Sequence, residues 1–225
     1  MKDRLIGFGL TEAINYSFYS SKYAEMMNIG ESDARTAHVK ILNPLSEDQD
    51  VMRTTLLPCL LENVRRNINF QQGSCHLFEI GKVFHPVQGE ELPEEITRIA
   101  GVLSGRRYGG TLPYHFKNDN VDFYDVKGAV ESLLEEMRLV NGGSTEIAML
   151  KAETVEPFAE QNYAVSITRN DKVIGTFGKL REEVLRSFGI KKEVYYFDID
   201  FDILCEASSI AKSFSSLPVY PSVKR

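Results

Sequence analysis

The side chains of this sequence that could bind a metal ion are its histidines and one run of alternating aspartates. The four histidines are His38, His76, His85 and His115. No two of them stand four residues apart, the spacing that would place two zinc ligands on one helix face. Asp198, Asp200 and Asp202 would share one face of a strand, where they would either bind a cation or form the solvated edge of an antiparallel sheet. We expect the solvated edge and predict no metal site.

Phosphate binding by a P-loop and catalysis by a nucleophilic serine each require a motif that this sequence lacks. Residues 106–110 read Arg-Arg-Tyr-Gly-Gly, which could wrap a phosphate, but no Lys-Ser or Lys-Thr pair follows as in a P-loop. We therefore interpret this segment as a loop. No G-x-S-x-G elbow marks a nucleophilic serine.

Arg53 is the most informative charged residue, because it stands immediately before an apolar helical pattern. A guanidinium that enters a protein interior needs an ion pair or carbonyl acceptors. We expect Arg53 to find them, and to hold the turn at Asn43 and Pro44 in place, in preference to a role in binding a ligand.

The composition of the 225 residues is that of a globular protein, with 43% hydrophobic and 26% charged residues. No apolar run approaches the roughly 18 residues of a membrane span, and the N-terminus lacks the pattern of a signal peptide. The net charge is −6 and the basic residues stand in isolated pairs. Because binding a phosphate backbone requires clustered Lys and Arg, we expect no direct nucleic-acid contact by this segment alone.

The three cysteines, Cys59, Cys75 and Cys205, are an odd set without CxxC spacing. That pattern is typical of reduced thiols and not of disulfides or a zinc site. We therefore expect a cytoplasmic protein.

Hydrophobic periodicity predicts the elements that position these residues. A short helix within residues 1–10 precedes a half-buried strand in which Ile14, Tyr16 and Phe18 alternate with polar residues. Apolar residues at helical spacing predict an amphipathic helix from Leu56, and Asp122 is a candidate N-cap for a second helix. A third helix covers 181–188. The other predicted strands cover 39–41, 76–85, 96–104, 145–151, 162–169, 172–178 and 194–204.

Hairpin-connected strands with segregated helices predict an α+β fold whose mainly antiparallel sheet is flanked by helices. We assign residues 1–207 to one domain. The Ser- and Pro-rich segment 208–225 is interpreted as a linker.

Seven segments, read in order, carry a resemblance to a known family. They are Leu5–Glu12, Asn43-Pro44-Leu45-Ser46, Met52–Pro58, Leu77-Phe78-Glu79-Ile80-Gly81, Val121–Gly128, Ile174–Gly178 and Phe197-Asp198-Ile199-Asp200. With the tail Leu217–Arg225, they resemble the catalytic-like core domain of the bacterial phenylalanyl-tRNA synthetase beta subunit, a class II aminoacyl-tRNA synthetase-like domain. The resemblance covers essentially the whole chain. It implies further domains on both sides, with 208–225 leading toward an anticodon-binding domain.

The resemblance also implies that this copy of the fold is catalytically silent. His85 and Val87 stand where motif 2 of class II synthetases carries an arginine and an acidic residue. Stabilising charge on the α-phosphate is an electrostatic task that valine and a neutral histidine do not perform. Tyr16 replaces the proline of motif 1, and motif 3, G-x-G-x-x-R, does not occur. We expect no catalytic residue, cofactor site or metal site in this domain.

The partners follow from the same resemblance. In that family, two alpha and two beta subunits assemble, and the alpha subunit activates phenylalanine with ATP and Mg²⁺. This domain is then a structural domain that pairs with alpha, while tRNA(Phe) is bound through other parts of the holoenzyme. We expect the contact surface to include Leu5, Ile6, Phe8, Ile14 and Phe18, and an isolated fragment to self-associate through it. The alternative is a ligand-sensing regulatory module that has lost catalysis but kept a pocket.

Overall fold

The computed structural model describes residues 1–44, 46, 48–108, 119–137 and 147–207. Its strands are β1 (Thr11–Glu12), β2 (Phe18–Tyr19), β3 (Val51–Met52), β4 (Ser74–His85), β5 (Glu94–Gly105), β6 (Ile147–Lys151), β7 (Val165–Arg169), β8 (Lys172–Lys179) and β9 (Val194–Asp200). Its α-helices are α1 (Lys2–Gly7), α2 (Tyr23–Met26), α3 (Leu57–Asn69), α4 (Phe123–Glu136), α5 (Glu182–Ser187) and α6 (Phe201–Ala207). None of these helices has the length and apolar character needed to cross a bilayer, as judged from the described residues.

Within the described residues, seven strands form one sheet in the order β1-β4-β5-β9-β8-β7-β6, and β2 pairs with β3 separately. The neighbours in the large sheet are antiparallel except β1, which runs parallel to β4. The α+β class and the mainly antiparallel sheet are therefore confirmed. Strand β1 lies at one edge of the sheet, so the chain enters that edge from α1 and leaves it toward β2.

A hydrophobic core covers each face of the sheet, because the strands alternate apolar side chains between their two sides. On one face, α3 buries its leucines and Val64 in a cluster that includes Val83 of β4. On the other face, α1 and α4 contribute to a cluster that includes Phe78 of β4 and Phe197 of β9. At Phe78 and Glu79 both sides of β4 are consequently interior, so a charged side chain at this point of the strand must find partners inside the domain.

The predicted start of α4 at Asp122 is confirmed. The Asp122 carboxylate accepts hydrogen bonds from the backbone N–H groups of Tyr124 and Asp125, and the Asp125 carboxylate accepts the backbone N–H of Asp122 at 2.7 Å. This reciprocal capping box satisfies backbone donors at the start of the helix. The predicted third helix is also present as α5, and Gly189 follows it at φ +70°.

The predicted strand 194–204 is wrong beyond residue 200. Strand β9 ends at Asp200, whose carboxylate accepts the backbone N–H of Ile203 at 3.0 Å as α6 begins. Asp202 lies in α6 and accepts the Thr97 backbone N–H, while Asp198 is buried beside Arg98. The three aspartates therefore form no solvated edge, and β9 lies between β5 and β8 inside the sheet.

The two predicted strands before residue 45 are also shorter than expected. Of the predicted strand around 14–18, β2 retains Phe18, which pairs with Met52. Of residues 39–41, Lys40 forms a single bridge with Val51. The chain leaves the sheet after β1, and the reason lies in the polar contacts of Asn15 described below.

Replacing Gly101 by alanine tests the packing at the centre of the sheet. A Cβ on Gly101 would overlap the ring of Phe197 on the neighbouring strand. We expect Gly101→Ala to lower the free energy of unfolding by about 1–3 kcal/mol, the usual effect of overpacking a core. Gly30→Ala is the matched control, since nothing lies within 4 Å of a Cβ there. Chemical denaturation of both variants would measure the difference, and equal effects would contradict this packing.

Candidate functional site

The 13–18 segment, which links β1 to β2, presents apolar side chains to solvent and polar side chains to the interior. Ile14 is 90% exposed and Tyr16 is 72% exposed, while Asn15 and Ser17 are partly buried. The Tyr16 ring stacks on Phe18 with 5.1 Å between ring centroids. This orientation is the reverse of the half-buried strand that the alternation predicted. It leaves an apolar surface uncovered at the edge of the sheet.

A buried ion pair explains the reversed orientation. Arg53 and Glu79 are each 3% exposed, and Arg53 Nη1 lies 2.6 Å from Glu79 Oε1. Asn15 donates to the same carboxylate, from Nδ2 to Oε2 at 2.7 Å and from its backbone N–H to Oε1 at 3.4 Å. Asn63 of α3 donates to Asn15 Oδ1 at 3.0 Å. These four residues are called the Asn15–Arg53–Glu79–Asn63 network below.

Arg53 also holds the backbone of the 13–18 segment directly. Its Nη1 donates to the Tyr16 carbonyl at 3.3 Å, and its backbone N–H donates to the Ser17 carbonyl at 2.9 Å. Its Nε donates to the Lys82 carbonyl of β4 at 2.8 Å. The segment is thereby fastened to β4 through one side chain.

The predicted ion pair and carbonyl contacts of Arg53 are therefore present, but the predicted target is wrong. Asn43 and Pro44 are exposed, and neither they nor Ser46 supplies any of the Arg53 contacts given above for the described residues. The guanidinium points instead across β4, because that side of the sheet is interior and contains the carboxylate of Glu79.

Glu79 was not among the predicted site residues, although a signal for it exists. It is the one acidic residue in the run Leu77-Phe78-Glu79-Ile80-Gly81, inside a strand with two buried faces. A Cβ on Gly81 would overlap Arg53 Nη2, so the glycine leaves the space that the guanidinium occupies. Cys59 lies beside the pair, and burial raises the pKa of its thiol to about 11. The thiol is neutral at pH 7 and adds no charge.

The predicted contact residues of α1 divide between surface and core. Ile6 is 52% exposed and Phe8 is 41% exposed. The Phe8 ring lies against α4, where a Cβ on Gly128 would approach it to 3.1 Å. Leu5 is 1% exposed and belongs to the core on that side of the sheet, so its side chain is not available to a partner.

His85 lies in a polar cavity of about 290 Å³ on the α3 side of the sheet. Burial lowers the pKa of His85 below its ordinary value. The described charged residues of the lining are three cations and three acids: Arg35, Arg98, Lys172, Glu156, Asp198 and Asp200. Arg98 Nε pairs with Asp198 at 2.6 Å and Arg35 Nη2 with Glu156 at 2.8 Å. This lining does not fit the polyanionic phosphates of ATP, which would lie beside three carboxylates.

The 106–110 segment, interpreted above as a loop, contributes the guanidinium of Arg107 to the start of α4. Arg107 donates to the Asp125 carboxylate at 2.8 Å and to that of Asp122 at 3.1 Å, at the start of α4. Residues 109 and 110 and His115 lie outside the described residues. Among the described residues, no group of three His, Cys, Asp or Glu side chains could hold a metal ion.

Comparison with known proteins identifies the family. The family model described as the phenylalanyl tRNA synthetase beta chain CLM domain matches residues 1–201. The chain belongs to this family. Two similar proteins are phenylalanine–tRNA ligase beta subunits, from Desulfotalea psychrophila at 52% identity over 226 residues and from Geobacter metallireducens at 36% over 209 residues. These matches cover 99% and 93% of the chain but only 28% and 25% of the relatives, so the chain spans about a quarter of their length.

The fold of the CLM domain is also found in a solved class II synthetase. Pyrrolysyl-tRNA synthetase from Desulfitobacterium hafniense superposes with a TM-score of 0.62, covering 96% of this chain and 73% of that chain. The identity is 17%, so the likeness concerns the fold alone. It confirms the predicted class II synthetase-like sheet.

Removing one member of the buried pair should strongly destabilise the CLM domain. Arg53→Met leaves Glu79 buried without its cation, and we expect a loss of about 3–5 kcal/mol in the free energy of unfolding. Lys82→Met is the matched control, because it breaks the exposed Lys82–Glu95 pair and should cost less than about 1 kcal/mol. Urea denaturation compares the two variants, and a small effect of Arg53→Met would contradict the buried pair.

The buried and partly buried histidines determine how the free energy of unfolding changes with pH. Burial lowers the pKa values of His38, His76 and His85. The Nε2 atoms of His38 and His76 are buried and have no hydrogen-bond partner among the described residues. Below the unfolded-state pKa of about 6.5, the unfolded chain binds more protons than the folded one, so stability falls as the pH drops. We expect the free energy of unfolding to decrease between about pH 7.5 and 5.5. His76→Gln should reduce this slope, and an increase in stability on acidification would contradict the prediction.

Proposed function

We propose that the CLM domain is a non-catalytic structural domain of a phenylalanine–tRNA ligase beta subunit and that it pairs with the catalytic alpha subunit. The observation that carries this proposal is the outward orientation of Ile14 and Tyr16 at the sheet edge. A domain that buries Asn15 and exposes its apolar neighbours leaves a surface suited to a protein partner. The family assigned by the sequence comparison supplies the identity of that partner as an expectation.

The partner surface consists of exposed residues from α1 and from the 13–18 segment. Ile6, Phe8, Ile14 and Tyr16 are its apolar members, with Phe18 stacked beneath Tyr16. Both parts adjoin β1 at the edge of the sheet. Aromatic and aliphatic anchors of this kind dominate the energetics of protein interfaces.

The chemical step belongs to alpha in this proposal. His85 and Val87 supply no cation and no acid at the motif 2 positions, and the paired charges of the nearby cavity do not suit a triphosphate. ATP and Mg²⁺ are used by the holoenzyme, an assembly of two alpha and two beta subunits in the cytoplasm. The tRNA(Phe) is bound through other parts of that assembly. The predicted linker 208–225 lies outside the described residues and stays a prediction.

The alternative hypothesis is a ligand-sensing module, and a ligand-binding measurement distinguishes it from the structural role. It requires the chain to bind phenylalanine, ATP or an adenylate analogue. The His85 cavity is the candidate pocket, but its charges neutralise one another through the Arg98–Asp198 and Arg35–Glu156 pairs. The structural role therefore has the stronger support, and saturable binding of one of these ligands in calorimetry would reverse that order.

Truncating the apolar anchors tests the proposed pairing. In the full beta subunit, Phe8→Ala and Tyr16→Ala should each weaken association with alpha by about 1–3 kcal/mol, because each removes apolar area from the contact. Affinity is measured by titrating immobilised alpha with the beta variants. Leu150→Ala is the matched control, since Leu150 is 54% exposed, between Phe8 and Tyr16, but lies on β6 at the opposite edge of the sheet.

Unchanged affinity in both anchor variants would contradict this surface assignment. The isolated chain adds a second test, because an uncovered apolar surface favours self-association. Light scattering of the chain should show dimers that Tyr16→Ala reduces.

A further inference from the structure

The buried Arg53–Glu79 pair requires an explanation other than stability. Taking two charges out of water is expensive, and replacing such a pair by apolar residues of similar volume is often neutral or stabilising. The domain nevertheless retains both charges at 3% exposure and leaves space for the guanidinium over Gly81. The question is what the pair does that apolar side chains would not do.

The contacts of the pair concentrate on three consecutive residues of the 13–18 segment. Glu79 accepts the backbone N–H and the side-chain Nδ2 of Asn15. Arg53 Nη1 donates to the Tyr16 carbonyl, and the backbone N–H of Arg53, which does not depend on the side chain, donates to the Ser17 carbonyl. The network therefore fixes the backbone path of the residues that expose Ile14 and Tyr16.

The other described contacts hold the two ends of the segment, where Ala13 packs against the core and Phe18 pairs with Met52 of β3. Strand pairing on the large sheet stops at Glu12, with one further backbone bond from Ala13 to Phe78. Ile14 and Tyr16 are exposed, so core packing does not fix their side chains. Hydrogen bonds to charged groups are stronger and more directional than neutral ones, which suits them to hold a short irregular segment.

We propose that the Asn15–Arg53–Glu79–Asn63 network is a positioning device that holds the 13–18 segment in its binding conformation. Its residues do not contact the partner. They raise affinity because the partner meets a surface that is already ordered, so less conformational entropy is lost on association. This inference rests on the proposed function, since it assigns a role within the surface that pairs with alpha.

The test replaces both charges at once in the full beta subunit. Arg53→Met together with Glu79→Leu removes the pair without leaving an unpaired charge. The expected result is a global stability equal to or above that of the wild type, faster amide hydrogen exchange confined to residues 14–17, and an affinity for alpha lowered by about tenfold or more. If the pair only stabilised the fold, affinity for alpha would not fall while global stability was kept.

The control removes a partly buried pair on the same side of the sheet. Arg98→Met together with Asp198→Leu breaks a 2.6 Å pair whose hydrogen bond lies between β5 and β9, away from the 13–18 segment. It should leave the affinity for alpha and the exchange of residues 14–17 unchanged. If the first double variant does not fold, Asn15→Ala decides with the same readouts. It leaves the ion pair intact and removes the two side-chain hydrogen bonds of Asn15, to Glu79 and from Asn63.

Two results would overturn the proposal. One is an unchanged affinity in the Arg53→Met, Glu79→Leu protein while Tyr16→Ala still weakens association. The other is a loss of affinity accompanied by faster exchange throughout the sheet, which would make the network a general stabiliser. If Tyr16→Ala and the double variant both leave assembly intact, the surface assignment itself has failed, so the two failures are distinguishable.

Discussion

The edge of the sheet depends on one requirement, that the carboxylate of Glu79 be neutralised inside the domain. Both faces of β4 are covered at Glu79, which is 3% exposed, so its carboxylate is largely removed from water and needs a cation and further donors. Arg53 and Asn15 provide them. Arg53 lies between β3 and α3, and Asn15 follows β1, so a single buried charge ties together segments that are distant in sequence.

Buried and partly buried charges elsewhere on the α3 side of the sheet are also engaged with one another. Arg98 pairs with Asp198, and Arg35 bonds both Asp33 and Glu156. Cations in such a cavity favour a polyanion only when their charge is not already compensated. The polar residues of this cavity therefore serve to join strands and turns of the domain, which agrees with a scaffold role for it.

The sequence was sufficient to predict the elements whose periodicity is long and regular. Helices α3 and α4, the cap at Asp122 and the hairpin strands follow from spacing and capping rules that act locally. The end of β9 was missed because the aspartates keep alternating with apolar residues after the strand stops. Asp200 is itself a capping residue at that point, and this local signal would have marked the start of α6.

The orientation of the 13–18 segment could not be predicted from its own residues. Alternation shows which side chains share a face. Which face turns inward depends on the residues that line the interior at that place. Here the interior presents Glu79 and Arg53, contributed by residues far along the chain. The assumption that apolar residues turn inward fails because the interior at this place is charged.

The free energies of burial and hydrogen bonding explain why the reversed orientation is the more stable one. Turning the segment over would bury Ile14 and Tyr16, a gain of about 1.5–3 kcal/mol for each. It would also remove three hydrogen bonds to charged groups, two from Asn15 to Glu79 and one from Arg53 to the Tyr16 carbonyl. Such bonds contribute about 1.5–3 kcal/mol each. Arg53 and Glu79 would also remain buried after losing these hydrogen bonds. The monomer thus forgoes the burial of two apolar side chains, and a partner that covers them gains that hydrophobic energy on binding.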